Sequence, residues 1–174
     1  MPGKTNPKLP TIERLTRSAV HYLERYSSSQ NNLRKVLERR VLKACRHHGL
    51  DPAEFSEMID KVLKRCVDSG LVNDRSYAET KTASLRRRGG SRRKIEAQLT
   101  QKGVDRDTIR SVLDDGAGTE EEAAAAYARR RRLGPFRNAA DRAARREKDL
   151  AAMCRAGFSF DIALRVIDAA KDDA

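Results

Sequence analysis

The chain has 174 residues and a formal net charge of +12, with charged residues at 36% and apolar residues at 39%. With no Trp, four Tyr and four Phe, it can bury a real core but suits slim helical packing, in which each helix offers a narrow apolar stripe and a wide solvated face. No apolar run is long enough to span a membrane, three cysteines cannot complete a disulfide set, and the positive balance asks for a negatively charged partner.

Residues 1–15 are Pro-rich and basic and lack the apolar centre of a signal peptide. They read as a flexible basic arm of a cytoplasmic protein. Residues 16–70 read as a first three-helix unit. Its helix one runs from Thr16 to Arg25, Ser27-Ser28-Ser29 makes the turn, and Leu33, Val36, Leu37, Leu42 and Cys45 line helix two. Asp51-Pro52-Ala53-Glu54 supplies an N-cap, a proline at the first helical position and an acid for a capping box, so helix three opens there. Phe55, Met58, Ile59, Val62 and Leu63 form its inner face, and Gly70 ends it.

Residues 71–115 read as the second unit. Val72-Asn73-Asp74 starts its first helix, with Tyr77, Ala78 and Leu85 near one face. Gly89-Gly90 reverses the chain after Arg86-Arg87-Arg88, Ser91 caps the next helix, Ile95 and Leu99 stack one turn apart, and Gly103 ends it in the left-handed conformation. Residues 116–118, Gly116-Ala117-Gly118, form a Gly-rich linker. The third unit, residues 119–170, begins with Thr119 capping Glu120-Glu121-Glu122. Gly134-Pro135 breaks its Ala- and Arg-rich first helix, and the last two helices run from Asn138 to Ala156 and from Phe160 to Ala170. Residues 171–174 read as a frayed tail.

Three glycines, Gly49, Gly103 and Gly157, stand 54 residues apart, twice. Their neighbours agree: Cys45, Leu99 and Met153 precede them by four, while Phe55, Ile109 and Ala163, then Met58, Val112 and Val166, then Ile59, Leu113 and Ile167 follow in register. No sustained alternation signals a strand. The fold class is therefore all-α, a tandem repeat of three three-helix units, which predicts an elongated molecule with scope for curvature. Cys45, Cys66 and Cys154 sit in helical apolar patterns and read as reduced core thiols.

Catalytic constellations are not visible. His21 is alone, His47 and His48 point about 100° apart on a helix, and Cys45 with His48 makes half a zinc site that lacks a second ligand pair. There is no phosphate-cradling loop and no nucleophile elbow, so neither a metal nor another cofactor is expected, nor a small-molecule substrate. Two basic clusters remain, each at the elbow between helices one and two of its unit. One is Arg86, Arg87 and Arg88 with Arg92, Arg93 and Lys94. The other is Arg129, Arg130, Arg131, Arg132, Arg137, Arg142, Arg145 and Arg146 with Lys148. Arginines that complement helix-end carbonyls explain one or two per helix end, not four to six, so these clusters are the candidate binding residues for a partner or nucleic acid. Few aromatics are available as stacking platforms, and nothing requires Arg92 to Lys102 to act as a recognition helix.

The run Gly70-Leu71-Val72-Asn73-Asp74-Arg75-Ser76-Tyr77-Ala78, followed by Arg88-Gly89, Ile95, Leu99 and Lys102-Gly103-Val104, resembles the central signature of the RecX proteins, bacterial modulators of the RecA recombinase. Met153-Cys154-Arg155-Ala156-Gly157-Phe158, with Ile162 and Val166, resembles that family's C-terminal segment. The likeness covers about Ala19 to Ala170. Asn73 stands where the family often has a second Asp, and the third unit's Arg-rich stretch and Pro135 are less typical. The resemblance implies three-helix repeats that dock along the groove of the RecA–single-stranded DNA filament. It also implies restraint of ATP hydrolysis, strand exchange and repressor cleavage without catalysis. The expected partners are the RecA filament and single-stranded DNA, with no membrane, and the free chain is expected to be a monomer. The alternative is a general basic helical DNA-binding protein that competes for single strands. Asp74, Tyr77 and Ala78, with the three repeat glycines, read as structural: Asp74 capping its own helix, Tyr77 packing against helix three of the first unit.

Overall fold

A computed structural model describes residues 7–116 and 118–170. Residues 1–6 of the predicted arm, one residue of the predicted linker and the whole predicted tail lie outside them. Among the described residues there are nine α-helices and no strand: α1 (Ile12–Leu23), α2 (Gln30–His48), α3 (Ser56–Asp68), α4 (Asp74–Arg87), α5 (Arg92–Gln101), α6 (Arg106–Asp114), α7 (Glu120–Arg131), α8 (Ala139–Arg155) and α9 (Phe160–Asp168). Short 3-10 turns at Pro52–Phe55 and Gly134–Phe136 precede α3 and α8.

Local chemistry accounts for most boundaries. Thr119 Oγ1 accepts from Glu122 N at 3.1 Å while a Glu122 carboxylate oxygen accepts from Thr119 N at 2.7 Å, the reciprocal capping box that opens α7. Ser159 and Asp105 cap α9 and α6 without the return bond, their side-chain oxygens accepting from Ile162 N and from Asp107 N and Thr108 N. Two boundaries differ from expectation. Helix α1 starts at Ile12, four residues before Thr16, because Thr11 caps it, accepting from Arg14 N at 3.3 Å. Leu15, only 4% exposed, thereby joins the core rather than an arm. Before α3, Asp51 accepts from Ala53 N at 2.9 Å and the first turn winds as 3-10, so the expected box with Glu54 is not formed.

The described chain forms two compact units. One comprises residues 7–77 with 102–104, and its core is Leu15 and Ala19 from α1, Leu33, Leu37, Val41 and Cys45 from α2, Ile59, Val62, Leu63 and Cys66 from α3, with Val72. On α2 the buried stripe steps Leu33, Leu37, Val41, so Leu42, expected inside, is 37% exposed. The other unit comprises residues 78–101 with 105–170. Ala123, Ala124 and Ala128 give α7 a face of methyl groups that packs with Leu150, Met153, Phe158, Ala163 and Ile167. Ile95, Leu99, Ile109, Val112 and Leu113 are buried in this unit as well. The cysteines are free thiols; Cys45 and Cys66 are buried, and burial pushes both above the ordinary thiol value.

Candidate partner interface

A repeated clamp builds the site. In the first unit Ser29 caps α2, accepting from Asn32 N at 3.2 Å, and its hydroxyl donates to the Lys102 carbonyl at 2.5 Å. Asp74 Oδ1 accepts from Gln30 N, the first helical amide of α2, at 2.7 Å. In the second unit Ser91 caps α5, accepting from Lys94 N at 3.3 Å, and donates to the Ala156 carbonyl at 2.7 Å. Glu120 accepts from Arg92 N, the first helical amide of α5, at 3.0 and 3.1 Å. Each time, a serine reaches the carbonyl just before a repeat glycine, and a carboxylate on the first residue of the following repeat's opening helix binds an otherwise orphaned amide.

The glycines fit this geometry. All three are left-handed, with φ of 71° at Gly49, 74° at Gly103 and 98° at Gly157. A Cβ on Gly103 would stand 2.6 Å from Asn31 Cβ, and one on Gly157 would stand 2.5 Å from Ser91 Oγ, whereas one on Gly49 would meet nothing within 4 Å. Asn138, the last repeat's equivalent of Ser29 and Ser91, makes no side-chain cap bond.

Asp74 therefore has a different role from the one expected. Asn73 caps α4, accepting from Ser76 N at 3.0 Å, and Asp74 is free to cap α2 instead. Tyr77 is buried, and burial, with lesser contributions from Tyr22 and Asp74, pushes its phenol above the ordinary value.

Several predicted binding arginines are tied into the second unit's fold. Arg86, whose side chain is 11% exposed, pairs with Glu120. Arg92 Nη2 donates to Asp114 at 2.7 Å. Arg137 grips Asp149 with two bonds of 3.0 and 2.7 Å, and Gly134 N donates to the same carboxylate at 2.9 Å. Burial tends to raise the pKa of Asp149, which is 2% exposed, but the Arg137 fork and the Gly134 amide outweigh it and hold the carboxyl below its ordinary value. Arg146 forks onto Asp168 at 2.7 and 2.6 Å, and Arg142 donates to the Ala169 carbonyl at 3.0 Å. All five of these predicted binding arginines thus have partners within the fold, which lie 12 to 34 residues away in sequence and come close only when the helices pack.

Arg87, Arg88, Arg93, Lys94, Arg129, Arg130, Arg131, Arg132 and Arg145 are exposed. The two predicted clusters meet here. A Cβ on Gly89 would lie 2.6 Å from Tyr127 Cα, so the α4–α5 elbow sits directly on the backbone of α7. Neighbouring Cα atoms are about 3.8 Å apart and residues one helical turn apart about 5–6 Å, so the Cα of Arg88 stands within about 14 Å of those of Arg130 and Arg131. The Arg130 guanidinium lies 5.9 Å from the Tyr127 ring and that of Arg129 5.2 Å from the Phe136 ring, which helps to hold both arginines at the surface. A further set of cations, Arg17, Arg39, Arg40, Lys43 and Arg46, carries no glycine turn to mark it in the sequence.

Among the described residues no group of three or more His, Cys, Asp or Glu is arranged to hold a metal ion, and no helix is long and apolar enough to cross a membrane.

The family model described as "RecX, second three-helix domain" matches residues 73–113. The chain is 40% identical over 169 residues to Regulatory protein RecX of Myxococcus xanthus (strain DK1622), covering 95% of this chain and 90% of that protein. To Regulatory protein RecX of Agrobacterium fabrum (strain C58 / ATCC 33970) it is 27% identical over 175 residues, covering 99% and 93%. The protein of the same name from Thermobifida fusca (strain YX) is 36% identical over 112 residues, or 64% of this chain and 60% of the relative.

Proposed function

The chain belongs to the RecX family, and on that premise we propose that it is a non-enzymatic regulator that binds the RecA–single-stranded DNA filament and inhibits its ATPase, strand-exchange and coprotease activities. It would act in the cytoplasm, through three tandem repeats, and modulate DNA repair and the SOS response. The observation that supports this reading best is the Gly89–Tyr127 contact, which seats the α4–α5 elbow, bearing exposed Arg87 and Arg88, against α7, bearing exposed Arg130 and Arg131, a basic surface drawn from two elements. Such a surface suits a target that offers DNA phosphates and acidic protein side by side. Several modest contacts along a repeating partner would add up through avidity rather than through one apolar patch.

The test is RecA's single-strand-dependent ATPase, titrated with the chain well below the RecA concentration and run beside an unrelated single-strand-dependent ATPase. The wild-type chain should suppress RecA selectively. A variant carrying Arg87→Ala, Arg88→Ala, Arg130→Ala and Arg131→Ala should keep its helicity and lose most of the suppression. The second reading, a DNA-binding protein that merely competes for single strands, is favoured by the sequence-independent character of exposed Lys and Arg. It predicts equal suppression of both ATPases.

A further inference from the structure

The first unit carries a cation cluster that the reading above does not use. A cleft of about 560 Å³ lies between α1, α2 and the segment from Pro7 to Pro10 that leads into α1. Five cations line it, Lys8, Arg14, Arg17, Arg40 and Lys43, and no carboxylate does. Its floor is apolar, formed by Leu15 and Ala44, each 4% exposed. The walls are held in place: Arg14 Nη1 donates to the Leu9 carbonyl at 2.8 Å, the His48 ring bonds the Pro7 carbonyl at 2.7 Å, and Arg40 Nη1 donates to Ser18 Oγ at 3.3 Å across the two helices. A second groove of about 520 Å³ continues along α2, sharing Pro7 and Lys43 and adding Arg39, Arg46 and His47.

The second unit shows what cations do when they serve the fold: Arg86, Arg92, Arg137 and Arg146 each face a carboxylate. Among the described residues none of Arg17, Arg39, Arg40, Lys43 and Arg46 has a carboxylate within ion-pair distance. Like charges gathered round one cleft repel one another, and the arrangement becomes favourable only when an anion neutralises it.

We propose that this cleft and its continuation along α2 are a binding track for the sugar–phosphate backbone of a nucleic acid, read without regard to base. Arg39 and Arg40, Lys43, then Arg46 follow at helical intervals of about 5–6 Å, a regular row of point charges that matches a polymer with one charge on every unit. An acidic protein surface has no such regularity, and a flat lipid surface cannot reach a concave floor. The lining contains no Phe, Tyr or Trp, and His47 at one end is its single ring, so there is no row of stacking platforms and affinity comes chiefly from phosphates. The track concerns nucleic acid bound by the chain alone, so its failure would leave the RecA reading standing, and the reverse holds too.

The experiment uses the full chain and a fluorescently labelled oligothymidylate, with anisotropy followed across a salt series. The variant Arg17→Gln, Arg40→Gln, Lys43→Gln removes three cations from the track, while Lys35→Gln, Lys61→Gln, Lys64→Gln removes the same charge from elsewhere on the unit; circular dichroism confirms that both fold. With a slope of about 0.7 per neutralised phosphate on single strands, the track variant should flatten the dependence of log affinity on log salt by about 2, and the control should leave it near wild type. Oligodeoxyadenylate should report the same change. Equal flattening in both variants would mean a diffuse field rather than a site and would overturn the proposal. So would an unchanged slope in the track variant, or displacement of the oligonucleotide by polyglutamate at matched charge.

Discussion

Gly89→Ala tests the contact that seats the α4–α5 elbow on α7. Gly89 and Gly49 have nearly the same backbone, φ 74° and 71°, so an alanine at either position meets the same left-handed strain. That strain is worth about 1–2 kcal/mol. At Gly49 the new methyl meets nothing within 4 Å, but at Gly89 it would lie 2.6 Å from Tyr127 Cα and 2.7 Å from Tyr127 Cβ. Ordinary carbon contacts lie near 3.5–4.0 Å, so the elbow and α7 must part by about 1 Å. Neither side can yield by a side-chain rotation, because the obstacle is backbone. Overpacking of this kind adds about 1–3 kcal/mol, which puts Gly89→Ala near 2–5 kcal/mol and leaves Gly49→Ala at the strain alone. Urea unfolding followed by far-ultraviolet circular dichroism measures both, with Gly70→Ala as a second control, since Gly70 also has φ 73° and open space around it. Gly89→Ala should also weaken suppression of RecA under conditions where it remains folded, because it separates Arg88 from Arg130 and Arg131. Equal losses of stability at all three glycines would refute the close approach and, with it, the merged surface.

Three further outcomes follow from the bonds within the second unit. Arg137→Ala leaves the nearly buried Asp149 carboxylate with only the Gly134 amide and should destabilise by about 2–4 kcal/mol, discounted from a fully buried pair because Arg137 itself is partly solvated. Because the Asp149 carboxyl is held below its ordinary value, it binds a proton less readily folded than unfolded. Its stabilisation is therefore complete above the unfolded value and is lost as pH falls through the folded one. Asp149→Asn should lower stability at neutral pH and flatten its decline below about pH 4, and an unchanged acid limb in denaturation curves would contradict this. Glu120→Ala removes the carboxylate that binds both Arg86 and the first amide of α5, so amide hydrogen exchange should quicken at Arg92 and Arg93. Protection equal to wild type at those amides would refute the clamp.

Much of the fold is legible in the sequence because it depends on neighbours three or four residues apart. The Thr119–Glu122 box, the Ser91 and Ser29 turns and the left-handed glycines all satisfy groups that the sequence places within one helical turn. The repeat made the same local solutions visible three times. Errors arose where two local solutions competed. Asn73 and Asp74 could each cap α4, and Thr11 could open a helix that the prolines of the arm obscured.

Which arginines face solvent was not legible. Arg86 and Glu120 are 34 residues apart, Arg146 and Asp168 are 22 apart, and Arg165 and Glu121 are 44 apart. A charge pattern along the chain has the same appearance whether or not its counter-ion lies on another helix. The sequence by itself determined an all-α repeat, its caps and its positive charge, because periodicity and capping act within a turn or two. Only the packing of the helices decided that Asp74 and Glu120 clamp the repeat before their own, that Arg137 holds a buried carboxylate, and that the Gly89 elbow sits against Tyr127. Those relations depend on distances between elements, which no local rule fixes.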